Sequence, residues 1–155
     1  MRKTALFCVV VLALGGAAVA YAAGSTVHSA RATTLHFHEP ATNDSFVDVG
    51  GKGTTQGDFL AWYDQLRDVD SGKFVGHVAG VCTLVDLRSQ LFDCSPVTYV
   101  LPGGTIYVDG LFSGKGAPET DPIVGGTGKY AGVHGTATVK ALSATLTDHV
   151  LDLSS

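Results

Sequence analysis

The stretch Ile123-Val124-Gly125-Gly126-Thr127-Gly128-Lys129-Tyr130-Ala131-Gly132-Val133-His134-Gly135 constrains the fold more than any other part of the chain. Its glycines crowd around one aromatic residue, between two apolar segments. A nucleotide-binding loop would need Gly-x-x-x-x-Gly-Lys followed by Ser or Thr, or a Gly-x-Gly-x-x-Gly/Ala run that opens a helix. Position 123 is Ile and Tyr130 follows Lys129, so the first pattern fails twice. The second fails because Gly135-Thr136-Ala137-Thr138-Val139-Lys140 is rich in β-branched residues at a period of two, which is strand chemistry. The segment predicts a tight strand–turn–strand corner, where glycine supplies positive φ and close backbone approach.

The same period recurs along the chain, and no segment beyond the N-terminus sustains helical periodicity. Short β-rich runs at about 33–39, 57–68, 73–87, 90–100, 104–113, 120–125, 133–142 and 144–153 are broken by Gly, Pro, Asn and Asp. Asp70-Ser71-Gly72 and Leu101-Pro102-Gly103-Gly104 read as turns, and 40–56 and 113–120 as the longest loops. Eight strands at this spacing predict an all-β fold, an eight-stranded antiparallel β-barrel or a sandwich. A closed barrel of that size has room for side chains or one small ligand. The run Val78 to Val85 is apolar on both faces, which predicts an outer wall covered by copies of the same chain.

The N-terminus reads as an address and not as part of the fold. Arg2 and Lys3 precede an apolar run from Ala5 to Ala20, and Ala20-Tyr21-Ala22 fits the A-x-A cleavage rule. Residues 1–22 are therefore expected to be a secretory signal peptide, removed after Ala22 or, as the alternative, after Ala20. Residues 23–32 form a disordered lead-in, and 33–155 the barrel domain. The expected location is extracellular or periplasmic, with no membrane span in the mature chain. Arg2 and Lys3 are two of ten basic side chains against fourteen acidic ones, so cleavage leaves a net charge of −6. That balance argues against nucleic acid as a partner.

Cys82 and Cys94 remain in an oxidising compartment. If Asp86 to Gln90 is a hairpin turn, they lie opposite each other on paired strands, within reach of a disulfide. The alternative is a free thiol in a pocket.

Several motifs together resemble the allene oxide cyclase barrel family and its relatives, the plant dirigent proteins. They are Gly57-Asp58-Phe59-Leu60, Gly72-Lys73-Phe74-Val75-Gly76, Ala79-Gly80-Val81-Cys82, Pro102-Gly103-Gly104-Thr105-Ile106 and Val124 to Tyr130. The resemblance spans 33–153 and implies an eight-stranded antiparallel barrel with a central apolar cavity, a tendency to form trimers, and no cofactor. It implies that a small apolar molecule is held in the cavity. Cyclases of this kind steer a reactive epoxide into a ring, and dirigent proteins steer radicals or quinone methides into one stereoisomer. The shared physics is confinement of an intermediate in one reactive geometry away from water.

The resemblance also nominates residues. Cys82 matches the cyclase cysteine, and Asp64 falls where cyclases place a pocket asparagine. Phe37-His38-Glu39 resembles the dirigent Phe-His-Asp, whose carboxylate lies in the pocket. Val133-His134-Gly135 resembles the dirigent Ala-Arg-Gly, with His134 in place of the arginine. Glu39, Asp64 and His134 are thus the expected catalytic groups, and Phe37 and Cys82 expected ligand contacts; strand faces add Trp62 and Tyr107 to the ligand contacts, with core or interface filling as the alternative for Tyr107. The cyclase glutamate of the first strand and the Ser-Pro pair are missing, since Phe37 and Ser45-Phe46 stand at those positions.

Three further readings remain open on the residues alone. Asp58, Asp64 and Asp68 share a strand face with Leu60 and Trp62, which is either a pocket wall or a solvated exterior. His36 and His38 share a face and could hold a metal, but a third ligand is unassigned; no metal site is expected, and outward polar positions beside Leu35 and Phe37 are the simpler reading. A non-catalytic barrel that binds an apolar small molecule or a protein is the alternative to an enzyme.

Overall fold

A computed structural model describes residues 32–113 and 116–155. The expected signal peptide and most of the lead-in fall outside the described residues. The strands are β1 (Thr33–Pro40), β2 (Ser45–Val47), β3 (Phe59–Asp68), β4 (Phe74–Asp86), β5 (Leu91–Leu101), β6 (Gly104–Ser113), β7 (Glu119–Gly126), β8 (His134–Ser143) and β9 (Leu146–Ser154). All pairings are antiparallel, in the order β1-β9-β8-β7-β6-β5-β4-β3-β2, and a β1–β3 pairing closes the sheet. The result is an eight-stranded barrel plus one short extra strand, β2, which lies within the loop expected over 40–56. Among the described residues no helix is long and apolar enough to cross a membrane.

The barrel has two unlike ends. At the first, side chains fill the interior: Phe37, Leu66, Val78, Leu101, Ile106, Ile123, Val133, Ala137, Leu151 and Leu153 are buried in one cluster. The glycine stretch closes this end as a short 3-10 turn, Gly128–Tyr130, between β7 and β8. It docks on the β5–β6 turn through Thr127 N–H to Thr105 O (2.9 Å) and Lys129 N–H to Gly103 O (2.8 Å). The two turns touch backbone to backbone. A Cβ on Gly128, whose φ is 59°, would lie 2.1 Å from Gly103 O, and one on Gly104 would lie 2.0 Å from Thr127 O. Glycine is required here for sterics, and two amides that a phosphate would need already donate within the fold.

At the second end the interior is hollow. The chain between β1 and β3, carrying β2, crosses this mouth as a strap. On the edge away from β4, β3 has two ladder partners: β2 beside Phe59–Ala61 and β1 beside Arg67–Asp68. Between those contacts, residues 42 and 43 take the place of a strand. Asp64 accepts from Thr42 N–H (2.9 Å), Thr42 Oγ1 (2.7 Å) and Asn43 N–H (3.1 Å), and Asn43 Nδ2 donates to Tyr63 O (3.2 Å). Asp58 fixes the other end of the strap, accepting from Val49 N–H (2.9 Å), Thr55 N–H (2.6 Å) and Thr55 Oγ1 (3.1 Å).

The β4–β5 ladder pairs Cys82 with Cys94, and the two form a disulfide with Cα atoms 4.1 Å apart. The register shifts on both strands beside the bridge, around Gly80-Val81 and Ser95-Pro96. Gly80 leaves room for the Trp62 ring, since a Cβ there would lie 2.4 Å from the indole. On the outer wall Val81, Tyr63, Phe74, Leu111 and Val124 are exposed.

Candidate active site

The hollow end holds a cavity of about 170 Å3. Leu60, Trp62, Val97, Val108, Phe112 and Val139 supply most of its apolar wall, beside the Cys82–Cys94 disulfide. Strand parity selects these side chains. On β3 the even positions Leu60, Trp62, Asp64 and Leu66 turn inward, and on β6 so do Ile106, Val108 and Phe112. The acidic face of β3 is therefore interior at Asp64.

Three polar side chains from three strands meet in the wall. Glu39 is the third inward residue of β1 after Leu35 and Phe37, His149 precedes Leu151 and Leu153 on the inward face of β9, and Tyr99 lies on β5. His149 Nε2 lies 2.8 Å from Glu39 Oε2, and His149 Nδ1 lies 3.0 Å from the Tyr99 hydroxyl. All three are buried and line the cavity. A carboxylate only accepts, so Nε2 carries the proton toward Glu39. In the neutral ring Nδ1 then accepts from the Tyr99 O–H. Burial pushes the Tyr99 phenol far above its ordinary value, and the nearby Glu39 and Asp121 charges add to this. Tyr99 is a hydrogen-bond donor here and not a base.

Further carboxyl groups line the same cavity: Asp44 on the strap, and Glu119 and Asp121 on β7. Burial raises the pKa of all three. Asp44 is raised further by Asp64 and Glu39, and Glu119 by Asp121, while backbone hydrogen bonds from Ser113 and Leu111 pull Glu119 and Asp121 back. Ser113 N–H donates to Glu119 Oε1, but Glu119 Oε2 is buried without a partner. Asp121 sits over Gly110, where a Cβ would be 2.0 Å from its carboxyl carbon.

Of the residues expected from sequence to be catalytic, Glu39 lines the cavity. Asp64 is wholly buried near it, yet its Oδ1 is taken up by Thr42 and Asn43. His134 does not belong to the pocket. It is the first residue of β8, at the filled end, and it is exposed; the inward residues beside it are Val133 and Ala137. Trp62 and Cys82 line the cavity, Cys82 as half of the disulfide and not as a free thiol. Phe37 points inward but packs in the apolar cluster at the filled end. Tyr107 is not among the lining residues, because Ile106 and Val108 take the inward positions on either side of it.

Asp58 and Asp68 are not pocket groups either. Asp58 holds the strap, and Asp68 accepts from Ser71 N–H and Oγ in the β3–β4 turn. His36 and His38 are on the outer wall, with Nε2 atoms 2.7 and 3.5 Å from Asp148 Oδ1. Sequence reasoning missed His149, Asp44, Glu119 and Asp121. A signal existed for three of them: His149 shares parity with Leu151 and Leu153, and Glu119 and Asp121 share it with Ile123.

The closed barrel, its half-filled interior and its polar wall define a class of small-molecule barrels. The model of the allene oxide cyclase barrel-like domain matches residues 35–151, and the chain belongs to that family. By sequence, no curated protein matches it significantly. Among solved structures, a pyocyanin demethylase is 30% identical, with a TM-score of 0.69 over 78% of this chain and 99% of the demethylase. The pterocarpan synthase dirigent protein GePTS1 is 18% identical, with a TM-score of 0.70 over 81% of this chain and 85% of its own. AbnU, an exo-specific intermolecular Diels-Alderase, is also 18% identical, with a TM-score of 0.67 over 82% and 99%. The latter two likenesses are likenesses of fold.

Proposed function

We propose that this protein is a cofactor-free enzyme that guides cyclisation, isomerisation or stereoselective coupling of a small, largely apolar intermediate, with Glu39 and His149 as its acid–base pair. The observation that carries this reading is the buried Glu39–His149–Tyr99 chain set into the wall of an otherwise apolar cavity. Glu39 accepts a proton from the substrate while His149 holds the carboxylate and shares its charge. Tyr99 donates a hydrogen bond and fixes the ring from the other side. Titratable groups that converge in a largely apolar cavity are a recurring mark of binding and catalytic sites. The cavity is of the size that accepts one small ring system, since an engineered apolar cavity of roughly 150 Å3 takes benzene. The likeness to a demethylase supports small-molecule chemistry at such a site. The reading includes export, after removal of the N-terminal segment, and self-association through the exposed apolar outer wall, which a light-scattering mass checks.

The test begins with mass spectrometry of small molecules that co-purify with the protein from its host. The recovered ligand is incubated with wild-type protein and with Glu39→Gln and His149→Asn. Conversion to a product, slowed by about 100-fold or more in either variant, is the expected result. A ligand returned unchanged by wild-type protein would overturn the enzymatic reading in favour of a binding barrel.

A further inference from the structure

The ligand-facing charge of the cavity is one-sided. Four of its lining residues, Glu39, Asp44, Glu119 and Asp121, carry carboxyl groups, and none of the described lining residues is Lys or Arg. Only His149 could offset them, and its Nε2 is already committed to Glu39. Glu119 has a second feature that points to an absent partner. Its Oε2 is buried and unpartnered, although an atom of this kind is nearly always hydrogen-bonded in a finished structure. The Trp62 and Phe112 rings line the same cavity, Phe112 on β6 beside the β7 acids and Trp62 on β3. Aromatic faces attract a cation when water is excluded.

We infer that the cavity takes a ligand with a small apolar ring body and a positively charged nitrogen, which Glu119 and Asp121 receive while Trp62 and Phe112 flank the ring. This deepens the proposed function and rests on its cavity. It narrows the substrate to organic cations and excludes carboxylate-bearing molecules such as fatty acids. Among the described lining residues an anion would meet four acids and no lysine or arginine, whereas a cation supplies what the buried Glu119 oxygen lacks.

Trp62 is the only tryptophan in the chain, so its emission reports on the cavity directly. Three probes of matched shape make the test: N-methylpyridinium, toluene and benzoate. Each is titrated into the oxidised wild-type protein at neutral pH, following Trp62 emission and checking by calorimetry. The expected result is saturable binding of N-methylpyridinium at least tenfold tighter than toluene, and no binding of benzoate. Glu119→Gln combined with Asp121→Asn should weaken the cation at least tenfold and leave toluene unchanged. Any other ranking of the probes in the wild-type protein overturns the inference, including no saturable binding of the cation. So does a folded double variant that keeps its preference. No turnover is measured, so this result is independent of the acid–base test of Glu39 and His149.

Discussion

The two ends of this barrel are built from the same eight strands and solve opposite problems. The filled end places Leu, Ile, Val and Phe side chains at the inward positions and seals them under two turns that meet through bare backbone. The hollow end places acids at inward positions and covers them with a strap. The acids there fall into two groups. Asp58 and Asp64 each accept three hydrogen bonds from the strap. Asp44, Glu119 and Asp121 face the cavity, and burial raises them without full compensation. The difference teaches that a carboxylate held by three donors of the strap serves the fold, and one that faces the cavity with fewer donors is available to a ligand. Buried polar groups cost free energy unless they are paired, so the second group is retained at some expense to stability.

This contrast can be broken by substitution, and the filled end should be the most brittle. Gly128→Ala forces a left-handed residue to carry a Cβ against Gly103 O. We expect a loss of about 3 kcal/mol or more in urea denaturation. A loss under about 1 kcal/mol would mean that the turns can part cheaply. At the hollow end, Asp64→Ala leaves three strap donors unpaired and should cost about 2–3 kcal/mol. If Asp64→Ala matched Glu119→Gln in stability, the division into structural and ligand-facing acids would fail.

A pH series sharpens the same division. Thr55 and Val49 amides hold Asp58 below its ordinary value of 3.8, and the Ser71 hydroxyl and amide do the same for Asp68. Their stabilisation is present above 3.8 and is lost as pH falls through the lowered folded values. Asp44, Glu119 and Asp121 have the opposite sign. Their contribution is greatest below their ordinary values, 3.8 for the aspartates and 4.5 for Glu119, and is lost as pH rises through the raised folded values. The urea midpoint should therefore rise as pH is lowered from neutrality toward the carboxylate range, then fall on further acidification. A midpoint that only falls from neutrality would contradict the assignment. The smallest effect is expected for Glu119→Gln, a gain of under about 1 kcal/mol at neutral pH, read from the same denaturation curves.

Most of this architecture was legible in the chain because strands write a period of two into their residues. The eight principal strands, the paired cysteines and the glycine corner all follow from local pattern and turn chemistry. The resemblance to the family added the cavity and Glu39. Height along the barrel axis was not legible. Parity says that a residue points inward, but not whether it meets the filled cluster or the hollow, so Phe37 and Glu39 look alike in sequence and lie in different environments. His134 was misplaced for a plainer reason: motif likeness outweighed its outward parity between Val133 and Gly135. The strap acids were harder still. Asp58 and Asp64 share a strand face with Trp62, and only the path of residues 41–57 separates a clamp from a pocket wall.

The seam of β3 has a consequence for behaviour in concentrated solution. A closed barrel normally presents no strand edge to its neighbours, which protects it from sheet-to-sheet association. Here the edge between the β2 and β1 contacts is hidden by Thr42 and Asn43, with Asn43 capping the Tyr63 carbonyl and Asp64 holding both residues in place. Asp64 therefore guards the solubility of the fold as well as its shape. When the strap lifts, the uncovered stretch of β3 is a template on which another molecule of the same chain can pair.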